Sequence, residues 1–412
     1  MTSSTFSPAP TFSPAPMSAS ESMFSPAHYA ATRLPLHEAS PLPGWCYTSP
    51  EWYQREIDTM FRKDWLCVGR VEQVPEPGSY FSIEVIGQPL IVVRDEHGDV
   101  RVHSALCRHR GAIITEGAGK CRAFTCPYHS WTYAPSGRLI GTPGTPPPMA
   151  GVAGFNPADH GLRPIRSEIW GGFIFITFNA GAEPLLTWLG DLPAFLAGYR
   201  LDEMQWTNRD TYEVDCNWKV WLENAFENYH AWTIHRKHMD PKHPQNWRFE
   251  KTQGPWEAMF SKRSIVAYAG LPEIDGLEAD KAAGLFHIWV QPSLQIILTS
   301  SYMKFRQYLP EGPEKLRLYE NWTFPRSTIA RPDFGDIVGP AYYHKYSEIV
   351  REDLGINPNV QKAMRTGAYE PGRFSLEEYI VHRIANHVLD RVVGPDADAS
   401  RQKREGTALQ AA

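Results

Sequence analysis

Cys107-Arg-His109 and Cys126-Pro-Tyr-His129 set two thiols and two imidazoles in short loops with sixteen residues between them. Two metal chemistries accept four such donors. Zinc takes two Cys and two His, but its usual spacing pairs like with like, as Cys-x(2–4)-Cys and His-x(3–5)-His. Here each loop mixes one Cys with one His. That mixture is what a [2Fe–2S] cluster needs when a Cys pair holds one iron and a His pair the other. Neutral imidazoles in place of thiolates reduce the negative charge around such a cluster and raise its reduction potential, which suits an electron carrier. The mixed spacing favours the iron–sulfur group over zinc.

The text around the loops alternates as strands do. From about residue 66 to 180, short runs (YFSIEVI, PLIVVRD, VRVHSAL, FTCPYH, GFIFITF) are separated by Gly, Pro and Asp-Glu-His-Gly turns. This predicts a small all-β domain with both ligand loops between strands, at hairpin tips. Upstream, SPEWYQREIDTMFRKDW predicts a helix capped by Ser49, with Pro50 in its first turn and Trp52, Ile57, Met60, Phe61 and Trp65 as its apolar positions. Residues 1–40 differ in composition. TFSPAP occurs at Thr5–Pro10 and again at Thr11–Pro16, and FSPA returns at Phe24–Ala27. Such repeats bury too little apolar surface to offset ordering entropy, so a disordered leader is expected, with Met1, Met17 and Met23 all possible starts.

Beyond residue 180, helical text (PLLTWLGDLPAFLAGY) leads through an aromatic segment to LFHIWVQPSLQIILT, MKFRQYLP and KLRLYENWTFP, which read as strands. Helical text from about Tyr342 to Val393 closes the chain. Antiparallel strands followed by helices indicate a larger α+β domain, its sheet flanked by helices. The expected organisation is thus a leader (1–40), an N-terminal helix packed on the second domain (41–65), the cluster domain (66–180), the α+β domain (181–395) and a flexible tail (396–412).

A chain of 412 residues and 46.7 kDa is ample for two cores. Its net charge of −5 and pI near 6.3 give no reason to expect nucleic acid or an anionic membrane as partner. No run of eighteen apolar residues and no charged n-region before an apolar stretch occurs, which argues against a membrane span and against secretion. The six cysteines, at 46, 67, 107, 121, 126 and 216, have no disulfide-scaffold spacing, so a reducing cytoplasm is expected. Cys121 reads as a small buried side chain beside the cluster loop rather than a disulfide partner of Cys126.

A second donor pair stands in NWKVWLENAFENYHAWTIH, Asn217–His235. His230 and His235 are five apart, so a regular helix turns them somewhat off one face, and a widened turn is needed to bring them together. Two imidazoles and one carboxylate make the facial triad of non-heme Fe(II) oxygenases, which leaves one face of the iron open. Alone, such a pair is more often core or surface histidine. Beside an iron–sulfur motif in the same chain, the balance reverses.

From roughly residue 41 to 395 the chain resembles the catalytic α subunit of Rieske-type non-heme iron oxygenases. CRHRG…CPYHSWTY, the NWK…EN…E-x-Y-H-x(4)-H run and REDLGINPNVQKAM carry the resemblance. It implies that Cys107, His109, Cys126 and His129 hold the [2Fe–2S] cluster and that His230 and His235 hold a mononuclear Fe(II). The third iron ligand falls on Asp353, with Glu352 as the adjacent fallback. Glu227, three residues before His230, takes the place of an acidic bridge that accepts from His230 and from His129 of a neighbouring subunit. The two metal groups of one chain are expected to lie too far apart for electron transfer, so a head-to-tail homotrimer follows, or a trimer with small β subunits.

The resemblance also implies O2 as co-substrate and electrons from NAD(P)H through a separate flavin-containing reductase, since no G-x-G-x-x-G strand–helix unit occurs in this chain. Many aromatic-ring members carry Asp at the bridge. The E-x-Y-H form is similar to members that oxidise quaternary ammonium compounds of the glycine betaine, carnitine or proline betaine type. A trimethylammonium group calls for an aromatic cage, and Trp232, Trp289, Tyr302 and Phe305 are its candidates. The rival is a ring-hydroxylating or aromatic-acid oxygenase, with Arg306 or Arg317 for a carboxylate. A more distant rival is an electron-transfer protein that uses only the cluster domain.

Overall fold

The computed structural model describes residues 22–238, 247–250, 252–262 and 270–395. The cluster domain is built on two small antiparallel sheets. One runs β4-β3-β2-β5, from β2 (Ser79–Val85), β3 (Gln88–Arg94), β4 (Val100–Ser104) and β5 (Ala118–Lys120). The other runs β6-β7-β8, from β6 (Phe124–Thr125), β7 (Thr132–Tyr133) and β8 (Leu139–Gly141). Period-two burial along β2 is the mark of a strand with one face inward. A core of Ile91, Val93, Phe124, Trp131, Tyr133 and Leu139 closes around Cys107 and Cys126.

A third sheet, β1-β10-β9, joins β1 (Leu66–Arg70) to β9 (Arg166–Trp170) and β10 (Phe173–Thr177). Phe173 and Phe175 pack with residues of the large sheet rather than with the cluster core. This third sheet therefore joins the two domains.

The large sheet has the order β11-β17-β16-β15-β14-β13-β12 and is antiparallel throughout. Its strands are β11 (Met204–Val214), β12 (Trp247–Phe249), β13 (Trp256–Lys262), β14 (Gly284–Val290), β15 (Leu294–Leu298), β16 (Met303–Gly312) and β17 (Lys315–Pro325). β11 stands where the sequence suggested only an aromatic segment. Most of its residues are half-buried, so MQWTNRDTYEV lacks the apolar alternation that marks a strand.

One face of this sheet packs on Phe173, Phe175 and the segment 185–201. The other is covered by helices α1 (Pro50–Glu56), α2 (Trp218–Ala225), α3 (Ala231–Ile234), α4 (Lys345–Met364) and α5 (Tyr379–Val392). α1 begins at Ser49, whose hydroxyl accepts from the Trp52 amide at 3.2 Å, and continues as a widened π turn over Ile57–Phe61. It is tied to α2 through Glu56. That carboxylate lies 2.6 Å from Lys219 Nζ, with both side chains fully buried, and accepts from the Trp52 and Trp218 indoles at 2.8 Å. α4 carries Gly355 and Pro358 in its interior. The helical text at the C-terminus divides in two, because Gly367, Pro371 and Gly372 fall between α4 and α5.

The expected leader is corrected in its second half. Residues 1–21 and the tail from 396 lie outside the described residues. From Ser22, however, the chain packs. Tyr29, Leu36 and Ala39 are buried, Phe24 stacks on Trp52 at 5.8 Å, and Arg33 meets Asp390 at 2.5 Å and Gly394 O at 2.9 Å. The burial comes from Tyr29, Leu36 and Ala39, which lie beyond the Pro/Ser/Ala repeats. Among the described residues no helix is long and apolar enough to cross a membrane.

Candidate metal centres

The two ligand loops of the cluster domain share one construction. In each, the Cys carbonyl accepts from the amide four residues on, Gly111 for Cys107 and Ser130 for Cys126, at 3.0 Å. Both of those residues are left-handed, with φ of 79° and 58°. Each Cys amide is bonded back across the turn, to Ala112 O and Trp131 O at 2.8 Å. The turns bury Cys107 and Cys126 and leave His109 exposed and His129 half-buried. The His rings meet edge to face with centroids 4.6 Å apart, and His109 stacks on buried Trp131 at 4.9 Å.

These residues fit the group that their types imply. Cys107 and Cys126 are free thiols, and His129 Nδ1 is buried with no hydrogen-bond partner among the described residues. Desolvation first, then the neighbouring His129 and Arg110, lowers the His109 pKa, favouring the neutral imidazole that a metal requires. Tyr133, which the sequence reading passed over, places its hydroxyl 3.2 Å from Cys107 Sγ and accepts from the Arg108 amide at 2.9 Å. With an N–H donated to its oxygen, the hydroxyl proton is left to point at the sulfur.

The second centre forms where the ligand helix fails. Asn217 caps α2, its side chain accepting from the Lys219 amide at 3.0 Å. Helical geometry lapses from Phe226 to Tyr229, and α3 adds a single turn before His235. That break is the widened turn that a five-residue spacing needs, and His230 and His235 flank the short helix. Their Nε2 atoms come within 3.2 Å of each other. Asp353, buried on α4, brings Oδ1 to 3.1 Å from His235 Nε2 and 3.8 Å from His230 Nε2. The three donor atoms lie within 4.8 Å of one another, and Asp353 Oδ1 has no hydrogen-bond partner among the described residues. The set suits a divalent metal with open positions.

Each histidine is aimed by a carboxylate on its other nitrogen. Glu227 Oε1 lies 2.5 Å from His230 Nδ1, and its Oε2 accepts from the His230 amide at 3.0 Å. Glu352, the fallback ligand of the sequence reading, lies 2.9 Å from His235 Nδ1, on the side of the ring away from Asp353. Against desolvation, Asp353 and then Glu352 raise the His235 pKa.

The cage candidates do not assemble as expected. Phe305 points to the opposite face of the sheet, edge-on to Phe173 at 5.0 Å, because it alternates with Lys304 and Arg306 along β16. Trp289 shares the helix-covered face but is sealed in the core, donating to Pro292 O at 3.0 Å and packed against His387. Trp232 is 39% exposed, on the short turn between the two histidines. Tyr302 alone joins an aromatic cluster beside α4, with Trp322, Tyr342 and Tyr346. Of the two arginines, Arg317 pairs with Glu311 and Glu213 at the far end of β17, while Arg306 lies on the face beneath α4.

Residues 64–156 match the model of the Rieske [2Fe–2S] domain, and residues 201–394 that of the ring hydroxylating α subunit catalytic domain. The chain is 27% identical over 364 residues to chloroplastic choline monooxygenase of Arabidopsis thaliana, covering 85% of this chain and 82% of the relative. It is 27% identical over 374 residues to the glycine betaine monooxygenase oxygenase subunit of Chromohalobacter salexigens, covering 81% of each. Among solved structures it superposes on the quaternary ammonium Rieske monooxygenase CntA in complex with L-carnitine with a TM-score of 0.72, at 21% identity over 86% of this chain and 96% of that one. Naphthalene 1,2-dioxygenase from Rhodococcus sp. gives 0.76, at 20% identity over 90% and 99%. At such identities the superpositions speak for the fold alone. A β domain that presents two Cys-His loops, joined to an antiparallel-sheet domain whose helices gather two His and one Asp, belongs to the Rieske non-heme iron oxygenases.

Proposed function

We propose that this enzyme oxidises a quaternary ammonium compound with O2, using electrons passed from NAD(P)H by a separate reductase. One observation carries the reading: a single chain holds both donor sets, the Cys-His loops and the His230–His235–Asp353 cluster. In this reading Cys107, His109, Cys126 and His129 hold the cluster, and His230, His235 and Asp353 hold iron. When bound, the cluster supplies single electrons and the iron supplies reactivity toward dioxygen. The chain's own part is orientation. Glu227 and Glu352 fix both imidazoles so that Nε2 faces the metal, and Trp131 braces His109.

The substrate class rests on the relatives whose printed names are choline and glycine betaine monooxygenases. Hydroxylating an N-methyl carbon leaves a hemiaminal that breaks down to formaldehyde and the demethylated amine. Glu227 would also receive the His129 imidazole of a second copy, which makes a homotrimer, with or without β subunits, the working assembly. Six unpaired cysteines support a reducing compartment such as the cytoplasm.

Iron analysis of reconstituted protein should give about three irons per chain, against about two for a protein with the cluster alone. Turnover with glycine betaine or carnitine should release formaldehyde in step with O2 uptake. Hydroxylation of an aromatic acid with no turnover of either compound would transfer the chain to the ring-hydroxylating branch.

A further inference from the structure

A chain of touching aromatic rings leads from α4, beside the proposed iron site, toward solvent. Every buried member of the cluster there except Val338 is aromatic: Tyr302, Trp322, Phe324, Tyr342 and Tyr346. Filling space alone does not call for so many phenols and indoles, whose polar atoms burden a core. Tyr346 stands seven residues before Asp353 on the buried side of α4. That spacing is two helical turns, ~10 Å, along one face. Burial, opposed by Arg306, raises the Tyr346 phenol to about 12, and the charges of Glu320 and Asp353 add to the rise. The ring is thus within electrostatic reach of the ligand carboxylate.

From Tyr346 the rings continue outward. Its centroid lies 5.3 Å from that of Trp322, and Trp322 lies 5.6 Å from Tyr343, both pairs edge to face. Such separations are those of rings in contact. Tyr343 is half-buried, at the boundary with solvent, and donates to Thr207 Oγ1 at 2.8 Å. Tyr302 and Tyr342 also touch Trp322 but are sealed in the core. Trp322 itself is fully buried, and its Nε1 has no hydrogen-bond partner among the described residues. An indole oxidised there has no acceptor for its proton, so it stays a radical cation that a neighbouring ring can reduce. Lys304 Nζ lies 3.1 Å from the Tyr346 centroid and 5.3 Å from that of Trp322. Burial pushes that amine well below its usual range, and Glu320 Oε2, which it shares with Arg306, stands 3.1 Å away. Little net positive charge therefore faces the rings.

We propose that Tyr346, Trp322 and Tyr343 form a one-electron relay that drains oxidising equivalents from the iron site when no substrate C–H bond is in place. Tyr343 gives up one electron, which travels inward through Trp322 and Tyr346 to the oxidised metal centre. Each of those two rings loses and regains one electron, so neither is altered. The Tyr343 O–H bond breaks, and its proton leaves toward Thr207 and solvent. A small-molecule thiol then returns a hydrogen atom to the tyrosyl radical, and two thiyl radicals pair as a disulfide. The inference rests on the proposed iron site but on no particular substrate. Its test adds hydrogen peroxide to enzyme with both metal groups loaded and no substrate present. Frozen samples are read by electron paramagnetic resonance, and digested ones by peptide mass spectrometry. A tyrosyl radical is expected in the wild type, lost in Tyr343→Phe and kept in Tyr302→Phe. In Trp322→Phe it should also be lost, with oxygen adducts moving onto the peptides that carry His230, His235 and Asp353. Peroxide consumption without a radical, or a radical that survives in Tyr343→Phe or forms equally in iron-free protein, overturns the relay and leaves the proposed function standing. Protein that binds no iron beyond its cluster overturns that function itself. Tyr343→Phe removes only one half-buried hydroxyl, so it decides the matter even where Trp322→Phe fails to fold.

Discussion

Glu352 and Asp353 are adjacent in sequence, and the helical step of about 100° between them sends one to His235 Nδ1 and the other to its Nε2. Removing the orienting member should therefore weaken the metal site without removing a ligand. Glu352→Ala is expected to lower iron affinity by about 10- to 100-fold, read as iron lost on dialysis against a chelator, with Glu352→Gln intermediate. Tyr133 acts on the other centre. A hydroxyl proton aimed at Cys107 Sγ stabilises the added electron, so Tyr133→Phe should lower the cluster's midpoint potential in voltammetry. Two half-buried groups away from the ligands contribute to the pH response. Desolvation, ahead of Arg391 and Arg383, drives His387 down to about 3, so the folded protein resists its protonation. Its contribution is present above the unfolded value near 6.5 and is lost as pH falls toward 3. Desolvation, relieved in part by Tyr47 and Lys219, raises the Glu223 carboxyl to about 8. Its contribution is present below about 4.5 and is lost as pH rises through 8. Denaturant titrations should thus place maximum stability between these limits, and Glu223→Gln should flatten the alkaline side.

Elements whose pattern repeats were readable from the chain; those defined by a break or by a neighbour were not. β14 and β15 declare themselves through apolar runs, β16 and β17 through apolar residues interleaved with polar ones, and Ser49 marks the start of α1 correctly. β11 stays hidden because its side chains are half-wet. The candidate ligands were visible as residue types at suggestive spacing, but Glu352 could not be told from Asp353 without knowing how α4 is rotated. The layer of Lys304, Arg306 and Glu320 required the pairing of β16 with β17, which no single strand encodes. Phe305 was misplaced for the same reason, since strand parity is fixed only once one face is known. α4 itself invites a test. A Cβ added at Gly355 meets nothing within 4 Å, and Gly costs a helix roughly 0.5–1 kcal/mol relative to Ala. Gly355→Ala should raise the melting temperature and slow iron release.

At the scale of the whole molecule, the segment from Ser22 onward acts as a strap. It crosses α1 through Phe24 and Tyr29 and is fastened to α5 by Arg33. Deletion of residues 1–21 serves as the reference, since it leaves Phe24, Tyr29 and Arg33 in place. Deletion through residue 40 also removes Tyr29 and Leu36 from the core, at a cost of several kcal/mol, since each large buried side chain contributes roughly 2–5. Thermal melts of the two truncations check this, and equal melting of both would mean that the strap is ornamental. One further property follows from α4. Pro358 cannot donate to the Leu354 carbonyl, so the rod that carries Asp353 is weakest just past that residue. Occupancy of the iron site and integrity of this rod then become a single equilibrium: loading should slow amide exchange along Lys345–Met364, and chelation should let that stretch unwind ahead of everything around it.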